Sequence, residues 1–311
     1  MFETLSLLVV QSWGDQAAFF PAVDEFMATP DRRGGPCRFA GRSGVGGGAV
    51  MLELCDLTAG YERHPAVHHI SARFRPGTLT AVVGPNGGGK STLLKSVMGM
   101  IPLMSGHIVL NGIAVRDCAY MPQQSEVDRE FPLRALDLVH FGHWRRTGAF
   151  GRLTPEMERT SHDALARVGM AAFAERPVGS LSVGQFQRVL FARIIVQDAR
   201  LILLDEPFAP IDSRTVLDLA PLLRQWREEG RTILLVVHDL AMAQEFCPDA
   251  MLLAREMVAF GPAATVLQPA ILQQARLLAE NWTESAPQCD RDLLPPHHHH
   301  DHEHHHGDKH P

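Results

Sequence analysis

The run Gly84-Pro-Asn-Gly-Gly-Gly89-Lys90-Ser91 constrains the chain more than any other stretch. It fits G-x-x-x-x-G-K-[ST] in full and lies between an aliphatic segment, Leu79 to Val83, and a helical pattern, Leu93 to Gly99, which is the context the motif requires. Glycines let successive backbone N–H groups converge on phosphate oxygens, and the helix N-terminus behind them adds its positive dipole end. Gly84, Asn86, Gly87, Gly88, Gly89 and Thr92 are therefore candidate phosphate-cradle residues. Lys90 is expected to reach the β and γ phosphates, and the Ser91 hydroxyl to ligate Mg²⁺.

From Met51 onward, short aliphatic runs (Leu79 to Val83, Leu201 to Leu204, Thr232 to Val237) alternate with amphipathic stretches, the pattern of a parallel sheet buried on both faces. The helical stretches are Gln185 to Gln197, Ser213 to Arg227, Leu240 to Phe246 and Val266 to Asn281. The fold class is α/β. The run Leu201-Ile-Leu-Leu204 delivers Asp205-Glu206 to the C-terminal end of a strand, where ligands of open parallel sheets gather. A bare Asp-Glu after a strand is as readily a helix-capping pair. Combined with the phosphate loop, it is expected to place Asp205 on the magnesium and Glu206 beside the water that attacks the γ-phosphate.

Other classes are argued against. The formal charge of −6 is the wrong sign for a nucleic-acid surface. No apolar run approaches the roughly 18 to 20 residues of a membrane span. Leu5 to Val10 follows Glu3 instead of a basic segment, so a secretory signal is not expected. Five cysteines (Cys37, Cys55, Cys118, Cys247, Cys289) show no C-x-x-C spacing, which points to neither a disulfide framework nor a thiolate zinc site and suits a reducing compartment.

Lys90 and Asp205 stand much further apart than one βαβ unit of roughly 30 residues allows, so a substantial insert separates them. Near its end is Leu181-Ser-Val-Gly-Gln185-Phe-Gln-Arg188, which resembles the signature sequence of ABC ATPases. The resemblance covers residues 51 to about 270. It implies a P-loop NTPase of ABC type, with a parallel-sheet core, an N-terminal antiparallel β portion and an inserted helical subdomain at about 124–180. Carried over residue by residue, Tyr61 resembles the aromatic that stacks on adenine, Gln123 the glutamine that ligates magnesium and links nucleotide to membrane subunit, Asp212 the D-loop aspartate, and His238 the histidine that contacts the γ-phosphate and Glu206. Leu181, Ser182, Gly184 and Gln185 are the implied signature contacts, with Val183 standing where the family usually has glycine. The signature of one subunit completes the ATP site of another, so the resemblance implies a head-to-tail homodimer with ATP and Mg²⁺. With one cassette and no span, it implies integral membrane permease subunits docking between Gln123 and Leu181, a peripheral place on the cytoplasmic face of the inner membrane, and an outer metal-binding protein.

The expected cargo is a divalent metal, zinc before manganese, iron or a chelated metal, with a soluble non-transport ABC ATPase as the other alternative, and the zinc expectation has two sources. Val127 to Gly142 resembles the same region of bacterial zinc and manganese uptake ATPases, most of all zinc types. The second source is the tail, where His297, His298, His299, His300, His302, His304, His305, His306 and His310 are interleaved with Asp301, Glu303 and Asp308, donors that suit zinc at neutral pH. An affinity tag and a general metal-binding tail are the alternatives, since such donors hold copper and nickel at least as well. His68, His69, His140 and His143 are expected to be structural or solvated.

The expected organisation is thus 1–50, a non-conforming extension; 51–283, the nucleotide-binding domain; and 284–311, a histidine-rich tail too poor in apolar residues to fold. Translation starting at Met51 is one expectation, because the glycine codons of Gly46 to Gly48 begin with GG where a purine-rich ribosome-binding sequence would sit.

Overall fold

The computed structural model describes residues 49–281 except 62, 63, 149, 150 and 210; the expectations for residues 1–48 and for the histidine tail lie outside the described residues. In chain order, β1 (Leu52–Tyr61), β2 (His64–Phe74) and β3 (Leu79–Val83) precede α1 (Lys90–Val97), β4 (Leu103–Leu110) and β5 (Cys118–Met121). The insert carries α2 (Ala135–His140), α3 (Trp144–Thr147), α4 (Pro155–Arg167) and α5 (Val183–Gln197). The core then resumes with β6 (Leu201–Asp205), α6 (Ser213–Glu228), β7 (Thr232–Val236), α7 (Leu240–Phe246), β8 (Asp249–Ala254) and β9 (Glu256–Pro262), and closes with α8 (Ala263–Val266) and α9 (Pro269–Asn281).

Two sheets follow from this order. β2-β1-β4 is antiparallel, and β5-β6-β7-β3-β8-β9 is parallel apart from its β9 edge. Strands β3, β6 and β7 are buried at every position, which explains their unbroken aliphatic sequence. Successive residues serve opposite faces. Val82, Leu203, Leu234 and Val236 join the core shared with the antiparallel sheet and α1, while Ala81, Leu204, Ile233 and Leu235 join the core shared with the helices. On that second face Phe191 of α5 stacks between Phe208 at 5.9 Å and Trp226 of α6 at 6.0 Å, tying the insert to the parallel core.

Two expected boundaries move. The helix behind the phosphate loop starts at Lys90 and not Leu93, because polar Lys90 and Ser91 hide the apolar period in its first turn. The terminal helix is broken in two, since Pro269 cannot donate to a continuing ladder and opens α9 as its first residue. Cys118 and Cys247 are free thiols that burial pushes up to about 12. No helix among the described residues is long and apolar enough to cross a membrane.

Candidate functional site

Backbone conformation shapes the loop after β3. Gly84 has φ 151°, and a Cβ there would lie 1.9 Å from the Leu253 carbonyl oxygen; Gly89 has φ 88° and would drive a Cβ to 2.4 Å from Val67 Cγ1. Only glycine satisfies both positions. Gly89 caps α1, so Lys90 and Ser91 occupy its first turn, where backbone N–H groups have no intrahelical acceptor. The Lys90 ammonium curls back to donate to the carbonyls of Gly84 (3.0 Å) and Pro85 (2.9 Å). Burial pulls its pKa below the ordinary lysine value, and the Glu206 and Asp205 carboxylates push it back up.

Parallel register assembles the rest. Met121 of β5 pairs with Leu204 of β6, and Asp205 with Val236 of β7, so Gln123, Glu206 and His238 leave three neighbouring strands at the same sheet edge. His238 Nε2 lies 2.6 Å from Glu206 Oε1. Glu206 sits at φ 51°, a left-handed conformation costing a non-glycine residue about 1–3 kcal/mol, of the kind that concentrates at functional sites. Asp205 is fully buried. Burial raises its pKa to about 6, the Ser91 hydroxyl bonded to it works in the opposite sense, and neighbouring Glu206 raises it further. Tyr120 donates to Asp205 Oδ2 at a long 3.5 Å, and Oδ1 is buried with no hydrogen-bond partner.

That orphaned oxygen, with the Ser91 hydroxyl beside the same carboxylate, is a donor set that fits a hard divalent cation such as Mg²⁺. Gln124 sends its amide to the Val183 carbonyl at 3.0 Å, which leaves Gln123 as the glutamine at the sheet edge. Tyr61 ends β1 and is 53% exposed.

The signature residues gather elsewhere. Ser182 caps α5, accepting from the Gln185 N–H at 3.2 Å while the Gln185 side chain accepts from the Ser182 N–H at 3.0 Å, a reciprocal capping box. Val183 takes the first helical position with its side chain 36% exposed, so the departure from glycine costs no packing. Gly184 faces the start of α6, where an added Cβ would lie 3.1 Å from Thr215 Oγ1 and 3.4 Å from Asp212 Oδ2. Asp212 itself caps α6, accepting from the Thr215 N–H at 2.9 Å and from its hydroxyl at 2.8 Å.

Tyr120 and Arg193 escaped the linear reading. Arg193, buried on α5, donates to the Tyr120 carbonyl at 2.7 Å, a contact 73 residues apart for which no local spacing offers a signal. The buried His143, bonded to the Met157 carbonyl (2.9 Å) and Ser161 hydroxyl (3.2 Å), is structural as expected.

Comparison with known proteins gives the same outline. Residues 67–209 match the family described as ABC transporter. The manganese transport system ATP-binding protein MntB of Listeria innocua is 40% identical over 215 residues, 68% of this chain and 90% of that protein. The zinc transport system ATP-binding protein TroB of Treponema pallidum is 37% identical over 73% of this chain and 87% of its own. Among solved structures, a dimeric ATP-binding cassette in a post-hydrolysis state, bound to ADP and phosphate, superposes with TM-score 0.61 at 25% identity, covering 68% of this chain and 99% of that one.

Proposed function

The chain belongs to the ATP-binding subunits of ABC transporters, and from that premise we propose that it hydrolyses ATP to power import of a divalent transition metal through a separate membrane permease. The observation that carries the hydrolytic half is the 2.6 Å contact between Glu206 and His238 at the sheet edge that also bears the phosphate loop. Lys90 trades the Gly84 and Pro85 carbonyls for the β and γ phosphates, an exchange of neutral acceptors for charged ones. Glu206 orients and polarises the attacking water, His238 holds the Glu206 carboxylate in place, and Tyr61 offers its exposed face to adenine. Ser91, Gln123 and Asp205 would hold Mg²⁺, which when bound neutralises charge developing on the phosphates.

Two copies are proposed to meet head to tail, with Leu181, Ser182, Gly184 and Gln185 of one, flanked by Asp212, facing the ATP of the other. ATP then closes the dimer by binding the closed state better, and hydrolysis reopens it. In the assembled transporter the chain sits peripherally on the cytoplasmic side of the membrane, its insert against the permease, with an outer binding protein delivering the metal. The domain limits proposed for this unit are 51–283.

Zinc is the proposed cargo, supported by the Val127 to Gly142 resemblance and the histidine tail; relatives named for manganese make that ion the alternative. Cells lacking the chain are expected to grow poorly under chelation and to recover with zinc added alone. Recovery with manganese alone would overturn the zinc assignment while leaving the ATPase in place. The tail, His297 to His306, is proposed as a cytoplasmic zinc buffer or sensor. Removing residues 296–311 is then expected to abolish any slowing of ATP hydrolysis at high zinc, and identical rates with and without the tail at every zinc level would exclude sensing.

A further inference from the structure

The segment that follows Gln123 is fastened to the segment that leads into the signature. Leu136 and Ala135 donate backbone N–H groups to the carbonyls of Ala174 and Arg176 (both 2.9 Å), Val178 donates to Leu133 (2.8 Å), and Arg134 bridges Pro177. The two stretches approach so closely that a Cβ on Gly179 would lie 2.8 Å from the Arg129 carbonyl oxygen. At the signature end of this ladder stands Arg129. Its Nη2 donates to the carbonyls of Val178, at 3.5 Å, and Leu181. The guanidinium lies 4.9 Å from the centroid of the Phe186 ring of α5, and its Nε is buried without a hydrogen-bond partner.

Leu181 immediately precedes the cap residue Ser182 and lies outside α5, so its carbonyl is not taken up by the helix ladder. A cation beside a helix N-terminus has the wrong sign for helix stability, and leaving a guanidinium nitrogen unpaired in the interior adds to the penalty. The two carbonyls and the Phe186 ring offset that penalty, and what these contacts have in common is that they hold the turn before the Ser182 cap against α5. We propose that Arg129 is a positioning residue for ATP hydrolysis: it fixes the Leu181–Ser182 turn so that the N-terminus of α5 meets the triphosphate held by a second copy of this chain. The same cation adds positive potential where that triphosphate arrives. Gln124, donating to the carbonyl of Val183, the first residue of α5, holds the same helix end.

The inference rests on the dimer reading above, and the experiment separates the two. Full-length wild type, R129M and R129K are compared for thermal midpoint, ATP affinity at protein concentrations too low to dimerise, and kcat as protein concentration rises. R129M is expected to keep its midpoint within a few degrees and its monomer affinity within about twofold, because Lys90 and the loop belong to its own subunit. Its kcat should fall at least about tenfold, the order of loss that a misplaced catalytic contact produces. R129K, which keeps the charge but not the planar fork, is expected to fall between the two. Equal kcat in R129M and wild type, with the same dependence on protein concentration, overturns the positioning role. Loss of monomer ATP affinity together with kcat in both variants also overturns it, in favour of a general structural role. Wild-type turnover independent of protein concentration would instead overturn the dimer reading, and this inference with it.

Discussion

Glu206→Gln is expected to reduce ATP turnover by at least about 10²–10³-fold, the range lost when a positioned acid–base group is removed, while ATP binding persists. The amide has the shape of the carboxylate, so the contact with His238 Nε2, 2.6 Å in the native protein, can be kept in altered form. What it lacks is the negative charge that draws a proton from the attacking water. Lys90, the loop glycines and the Asp205 carboxylate are untouched, so the triphosphate is still held and the closed dimer accumulates with its ATP intact. Phosphate release measured alongside nucleotide bound per subunit distinguishes the cases: bound ATP with silent turnover is the expected pair. Turnover within twofold of wild type would show that the water is activated by another group and would refute the assigned role of Glu206.

The glutamate also shows how far sequence carries the argument. The loop from Gly84 to Ser91 was legible because its chemistry is local: glycines, lysine and serine act within one turn of chain. Asp205-Glu206 was legible by type but not by conformation, since no periodicity announces a glutamate at φ 51°. His238 was placed only by resemblance. Its partner is set by the pairing of Asp205 with Val236 across parallel strands, a register that hydrophobic pattern cannot supply when both faces are buried. The parallel core was readable for the same reason that its register was not. Capping offers a second contrast. Ser182 with Gln185 is a capping box visible in the sequence as serine followed three residues later by glutamine, whereas Asp212, the cap of α6, is equally local but is marked in the sequence only by its resemblance to the D-loop aspartate. The structure gives Asp212 both neighbours, Thr215 within its own helix and Gly184 of the signature helix. Arg129 lay beyond reach, because its acceptor at Leu181 is brought back only by the folded insert.

Asp205→Asn is expected to make the nucleotide-free and magnesium-free protein more stable at neutral pH while removing magnesium-dependent hydrolysis. The carboxyl is fully buried, one oxygen has no partner, and burial raises its pKa from 3.8 to about 6. The folded chain therefore keeps this proton up to about pH 6, and the unfolded chain releases it near 3.8. Between those values the folded state binds more protons, so stability falls as pH rises and the loss is complete above pH 6. At about 1.4 kcal/mol per pKa unit the penalty at pH 7.5 is on the order of 3 kcal/mol, or a shift in Tm of about 6–12 °C for a domain of this size. Asparagine is neutral throughout and avoids it, within the limit that its amide N–H groups need acceptors in the same place. A divalent cation relieves the same penalty in the native protein by giving the buried charge a partner, which the amide cannot offer, so ATPase activity should fall by about 10²-fold or more. Thermal unfolding of both proteins from pH 4 to 8, with chelator and then with magnesium and ATP, tests both halves. Measured as the difference from D205N, wild type should lose stability as pH rises from about 4 to 6 in chelator, a difference in which the opposite trend from His68, His140 and His143, whose pKa values burial lowers in both proteins, cancels. Magnesium with ATP should then stabilise wild type more than D205N, which still holds ATP through Lys90 and the loop. A D205N protein no more stable than wild type at pH 7.5 in chelator would show that Asp205 carries no unpaired charge there, and would remove the electrostatic reason for placing magnesium on it.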